Sequence, residues 1–210
     1  MKRAAFTLLE MTMVIVVLGI LAALALPRLE RDIRQEAADN ILSAIRYTQH
    51  MALMDNKTDP EDANWQKELW HMRFSLDGAG GYFYTVSTNT DQNANVDKGE
   101  TAVDPANGKY MFNLGGDSAI DSDESPNIFI GKKYGVNQVT PSGGCSSQHI
   151  AFDHLGRPHN GIYGASNDYS SVVHQDCIFT FGFADSGIED INIIIEKGTG
   201  HAYIQGQPDS

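Results

Sequence analysis

The chain has 210 residues, with 27 acidic side chains against 15 basic ones and a formal net charge of −12. That balance argues against a general nucleic-acid-binding surface, because phosphate contacts need clustered Lys and Arg. It fits a soluble surface that repels non-specific partners, and the length after any N-terminal segment suits one domain of ordinary size.

The N-terminus carries a basic leader, MKRAA (residues 1–5), and then FTLLEMTMVIVVLGILAALAL (residues 6–26), an apolar run broken by one charge, Glu10. As a helix the run is about 31 Å long at roughly 1.5 Å per residue, enough for a bilayer core of about 30 Å. Residues 6–27 are therefore predicted as a transmembrane helix. No A-x-A-like cleavage site follows Leu26, where the chain continues PRLERDIRQEAADN, so the segment is expected to stay with the mature protein. A carboxylate in such a span costs a few kcal/mol, which makes Glu10 a functional candidate that needs a partner. The alternative is a Glu10 near the helix end that reaches the head groups. Charge alone does not orient the span, since Lys2 and Arg3 precede it and Arg28, Arg31 and Arg34 follow it.

This N-terminus resembles the type IV pilin-like superfamily, which includes type IV pilins and the pseudopilins of type II secretion. FTLLE is similar to the family's F-T-L-[IL]-E. The resemblance implies cleavage by a prepilin peptidase between Ala5 and Phe6, with Phe6 becoming the N-methylated first residue. Ala5 departs from the family's usual Gly before the cut and is its nearest substitute in size. The resemblance also gives Glu10 a partner, the N-terminal amine of a neighbouring subunit in a filament. Opposite charges in a low-dielectric bundle attract strongly, and each is costly when left alone. Gly19 and Pro27 fall where many members have a helix-loosening glycine and proline. Loss of Lys2 and Arg3 with the leader would take the net charge from −12 to −14. The family also implies a single-pass protein of the bacterial inner membrane, with its C-terminal domain in the periplasm or in an extracellular filament.

Downstream, Leu29, Ile33, Ala37, Ile41 and Ile45 recur every four residues among Arg, Glu, Asp and Gln, so residues 28–55 are predicted as an amphipathic continuation ending near Met54. Residues 56–210 are predicted as a globular β-sheet domain. Trp70, Met72, Phe74 and Leu76 alternate with polar residues, a half-buried strand. A turn at Asp77-Gly78-Ala79-Gly80-Gly81 leads to a hairpin partner over residues 82–87. Residues 88–126 are polar, with a small apolar island at Tyr110-Met111-Phe112, and read as a long loop or insertion. Further strands are predicted at 127–134, 148–153, 177–183, 190–196 and 201–205, with turns at 185–187 and 197–200. The fold class is thus α+β, a long N-terminal helix packed on an antiparallel β-sheet domain in the pilin manner. The segments HIAFDHLGRPHNG and DCIFTFGFADSGIEDINIIIEKGTGHAYI also resemble the carboxyl end of the GspH/FimT-like minor pseudopilins, and 88–126 lies outside that pattern.

Cys145 and Cys177 are the two cysteines. In an exported chain they point to one disulfide, the alternative being two buried thiols. No C-x-x-C pair suggests zinc. Asp91, Asn93, Asn95 and Asp97 put oxygen atoms at alternating positions, as a calcium loop opens, although Val96 stands where an EF-hand needs Gly and no Glu occupies the twelfth position. A solvated loop with Asx turns is the competing interpretation. Asp153-His154 has the look of a base with its orienter, or of a strand end and surface turn, and no nucleophile can be assigned to it. P-loop, H-E-x-x-H, G-x-S-x-G and G-x-G-x-x-G patterns are absent, so no enzyme is predicted and no cofactor beyond a candidate calcium.

The expected function is a processed minor pilin or pseudopilin that assembles through its N-terminal helix. Its expected partners are other pilin-like subunits, the prepilin peptidase and the inner membrane before assembly, with nucleic acid disfavoured. The alternative is a pilus-tip module that recognises a surface, glycan or DNA through the 88–126 insertion.

Overall fold

The computed structural model describes residues 8–93, 95–164 and 169–207, without the side chains of 22–32. One long helix, α1 (Leu8–Met54), opens the chain. Its amphipathic stripe is buried where the fourfold spacing predicts it: Ala37, Ile41 and Ile45 are wholly inaccessible, and Ile33 packs at the margin of the core. Leu29 falls outside the described side chains. Polar residues on the flanks of this stripe tie the helix to the loops and strands beneath it. Arg46 donates to the Ala202 carbonyl at 2.9 Å, and Gln49 donates to the carbonyls of Gly156 and Thr199 at 3.0 and 2.9 Å.

The strands are β1 (Trp70–Leu76), β2 (Tyr82–Ser87), β3 (Val136–Gly143), β4 (His149–Phe152), β5 (Pro158–His159), β6 (Cys177–Phe183), β7 (Ile191–Ile195) and β8 (Ala202–Ile204). They form two antiparallel four-stranded sheets, in the orders β2-β1-β4-β5 and β3-β6-β7-β8. The expected hairpin is present, with Leu76 opposite Tyr82 and the Asp77 carboxylate accepting the N–H groups of Ala79 and Gly81 to shape the turn. Phe74 of the first sheet meets Phe179 and Phe181 of the second at ring-centroid distances of 5.5 and 5.2 Å. The core therefore lies where both sheets and the distal half of α1 converge.

Three expectations are corrected. The transmembrane half of the helix is not found: among the described residues no helix is long and apolar enough to cross a membrane. Its described apolar side chains cover residues 8–21, about 21 Å at roughly 1.5 Å per residue, against the ~30 Å a bilayer core requires. The β domain is two sheets, not one.

Residues 127–134, expected as a strand, are helical: a 3-10 turn (Pro126–Ile128) runs into α2 (Ile130–Tyr134). Local signals decide this segment. Ser125 accepts the Asn127 N–H at the start, Pro126 sits at the first turn, and Gly135 closes α2 at φ +79°. Gly131 packs so closely on Gly81 and Tyr82 that a Cβ would come within 2.4 Å of the Tyr82 nitrogen.

Strand β3 was not among the expected strands, and it contains Pro141. As an edge strand paired only with β6, it tolerates a residue without an N–H. The insertion is held by its own carboxylates. Glu100 accepts the N–H and hydroxyl of Thr90 and the N–H groups of Asp91 and Asp97. Asp104 accepts from Ser125, Asn127, Asn107 and the Ala106 N–H.

Candidate functional site

The N-terminal part of α1 has the opposite character to its distal part. Every described side chain from residue 8 to residue 21 is exposed, including Leu8 at 84% and Leu21 at 58%. Glu10 lies in the first turn of the helix, where an acid is favoured by the helix dipole. A Cβ added at Gly19 would meet nothing within 4 Å, so in the single chain the glycine serves no close packing. Pro27 falls within the backbone of α1, and its side chain is outside those described. Ala5 and Phe6, the expected cleavage pair, lie outside the described residues.

Cys145 and Cys177 are bonded as a disulfide, with Cα atoms 5.1 Å apart. The bridge joins the turn after β3 to the first residue of β6, beside the paired Gly143 and Cys177.

The residues of the candidate calcium loop are engaged with one another. Asp91 accepts from the backbone and side-chain N–H groups of Asn93, and Asn93 accepts the Asn95 N–H in successive Asx turns. The Asp97 N–H is directed to Glu100. Burial pushes the Glu100 carboxyl upward, but the N–H and hydroxyl donors around it outweigh that and hold it below its ordinary range. Among the described residues no group of three or more His, Cys, Asp and Glu side chains is placed to hold a metal ion.

Asp153 and His154 do not act together. His154 is paired with Thr58 through Nδ1 at 3.2 Å. The buried Asp153 carboxylate instead takes Arg157 at 2.7 Å and His159 Nε2 at 3.4 Å, and His159 Nδ1 meets Ser171 Oγ at 2.8 Å. Burial pushes Asp153 upward, yet its bonds with His159 and Arg157 hold it well below the usual carboxylate range. With Asp153 and His159 wholly buried, this line of side chains fastens β4, β5 and the 171 loop. Its signal in the sequence was an acid and a histidine flanking a Gly-Arg-Pro turn, which adjacency to His154 obscured.

A second polar cluster was not expected at all. On the outward face of β1, Arg73 sits opposite Thr85 of β2 and His149 of β4. The Tyr163 ring is stacked edge-on between His71 and His149, at 5.8 and 5.0 Å, and the Arg73 guanidinium lies 5.8 Å from its centroid. His71 bonds the Leu69 carbonyl at 2.8 Å and lies near Tyr163 and Ser87. His149 Nε2 accepts the Gly161 N–H at 3.0 Å. Comparison with family models, with curated proteins and with solved structures returns no match for this chain.

Proposed function

We propose that this chain is a structural assembly subunit of the pilin-like kind, a minor pilin or pseudopilin. In this reading the leader is removed between Ala5 and Phe6, the new amine is methylated, and the front of α1 packs beside the same segment of sister subunits. The observation that carries it is the contrast along one helix. Residues 8–21 expose apolar side chains on every side, whereas from Ala37 onward the stripe is buried in the chain's own core. A contiguous exposed apolar surface of this kind marks an interaction site.

Glu10, lying within that surface, would face the methylated amine of a neighbour, where a charge pair is strong and a lone charge costly. The disulfide supports work in an oxidising compartment, as expected for an exported domain. No catalysis is required of such a subunit.

Mass spectrometry of the chain recovered from its native cell tests the proposal. The expected result is a mature chain beginning at Phe6 and carrying one added methyl group. An intact Met1, or a chain cut after Leu26, would overturn it. Glu10→Ala is expected to abolish recovery in filaments or cross-linked assemblies while leaving the melting temperature of the sheet domain unchanged.

A further inference from the structure

A cavity of about 440 Å³ lies between the distal half of α1, the insertion and α2. Small-molecule sites run from roughly 300 to 1,000 Å³, so it has room for a compact ligand. Ala44, Tyr84 and Met111 are buried and form its floor, whereas Glu36, Asp39 and Ser43 are exposed at its mouth. Asn40, Ala44 and Tyr47 recur at three- and four-residue spacing on α1, so they share the helix face that lines it. Tyr84 of β2 bonds to that face through Asn40.

The charge on this lining is one-sided. Among the described residues no Lys, Arg or His lines the cavity, while Glu36, Asp39 and Asp104 do. Lys133 reaches Glu36 at 3.5 Å from outside and neutralises that end of the mouth. Asp39 accepts from Gln35 at 2.9 Å, and the 6% exposed Asp104 accepts from Ser125, Asn127, Asn107 and the Ala106 N–H, all of them neutral. Neither carboxylate takes part in an ion pair with a described cation. Burial pushes the Asp104 carboxyl upward, but these donors outweigh it and hold the group below its ordinary range, so it is charged at neutral pH. A charge withdrawn from water and met by dipoles alone lacks the opposite charge that would offset its desolvation.

The neighbouring hydroxyls add to the pattern. Tyr84 donates its one proton to Asn40 Oδ1 at 3.2 Å and Tyr47 to the Val103 carbonyl at 3.0 Å, which leaves both oxygens as acceptors. Burial, together with the Asp104 charge, pushes both hydroxyls upward, the mark of a negative field within the cavity.

We infer that this cavity binds a small primary amine with an apolar body, the ammonium group on Asp104 and the body against Tyr47, Tyr84 and Met111. An ammonium group carries three donors and no acceptor, which matches a lining of carboxylates and acceptor oxygens. Anions are repelled by the same field. A bare metal ion is disfavoured, because among the described residues no group of three or more His, Cys, Asp and Glu is placed to hold one. The volume selects a free amine over a lysine of a partner protein, whose four-carbon stem would leave most of the space empty. The cavity lies on the distal half of α1, away from residues 8–21, so the inference stands whether or not the assembly role does.

The test is a titration of the full chain with phenethylamine, followed by calorimetry and by the NMR signals of the Met111 methyl and the Tyr47 and Tyr84 rings. Saturable binding is expected, with these signals shifting. Phenethyl alcohol, which lacks the charge, and phenylpropionate, which reverses it, are each expected to bind at least about tenfold more weakly, the scale of one lost charge-assisted contact. Asp104→Asn is expected to lose at least about tenfold in affinity. Because Asp104 also holds the insertion, a second variant separates binding from folding: Ser43→Phe, at an exposed position of the mouth, is expected to keep its melting temperature and obstruct the cavity, with a similar loss. No saturable shift at about 10 mM phenethylamine, a concentration that fills a millimolar site, would overturn the inference. So would equal binding by the alcohol or the propionate, undiminished binding by Ser43→Phe, or binding of a lysine-rich peptide where the free amine fails.

Discussion

Two histidines beneath the outward face of the first sheet set how the molecule responds to acid. Burial lowers His71 to about 4, and burial, reinforced by His71 and Arg73 nearby, lowers His149 to about 4 as well. Both rings are neutral in the folded chain at neutral pH. Below about 6.5 the unfolded chain takes up protons that the folded chain refuses, so stability falls as the pH drops from about 6.5 towards about 4. Each ring contributes up to about 3 kcal/mol to that loss, as an upper bound. Depressed carboxyls such as Glu100 and Asp104 add to it at lower pH, where their hydrogen bonds are lost on protonation. Thermal melts at pH 7.5, 6 and 5 are expected to show a fall of several degrees, beginning near 6.5. A flat profile down to pH 5 would count against buried neutral rings.

At the scale of elements, α1 is one helix with two duties, and two truncations separate them. Ile41 is wholly buried against the sheets, so Ile41→Ala is expected to cost about 2–5 kcal/mol, from lost burial plus a residual cavity. Leu18 is 59% exposed, so Leu18→Ala is expected to change the stability of the isolated chain by less than about 0.5 kcal/mol. Urea unfolding measures both values. In the proposed assembly the order is reversed, with Leu18→Ala weakening subunit association and Ile41→Ala affecting it only through folding. The distal half of this helix was legible in the sequence because a four-residue spacing admits only one face. The 127–134 segment was not, since its apolar residues suit strand or helix and the choice fell to Ser125, Pro126 and Gly135 at its ends. The short pair β4 and β5 was half legible, because a two-residue strand carries no periodicity.

Considered whole, the chain leaves the second sheet after β3, builds β4 and β5 of the first sheet, and returns to the second as β6. The disulfide closes this excursion, a separation of 32 residues. In the chain-entropy picture a loop of that size contributes roughly 3–4 kcal/mol by limiting the unfolded chain. The double variant Cys145→Ser, Cys177→Ser is therefore expected to melt roughly 10 °C lower, at about 2–4 °C per kcal/mol for a protein of this size. Wild-type protein in strong reductant should move by a similar amount, and the double variant should not move further. A double variant that melts with the wild type would show that β3 and β6 pairing alone holds the crossing.

The sequence by itself determined the elements whose pattern is local. The period of four in α1, the period of two in β1, the Asp-Gly turn and the apolar N-terminal run each depend only on neighbours along the chain. Only the tertiary structure decided what distant residues do together. Asp153 takes His159 and Arg157 in place of the adjacent His154, and Arg73, His149 and Tyr163 meet on one face although they belong to two strands and a loop. The reason is that periodicity reports which face a side chain takes, while its partner across strands depends on register and on how loops fold back, which no local pattern encodes.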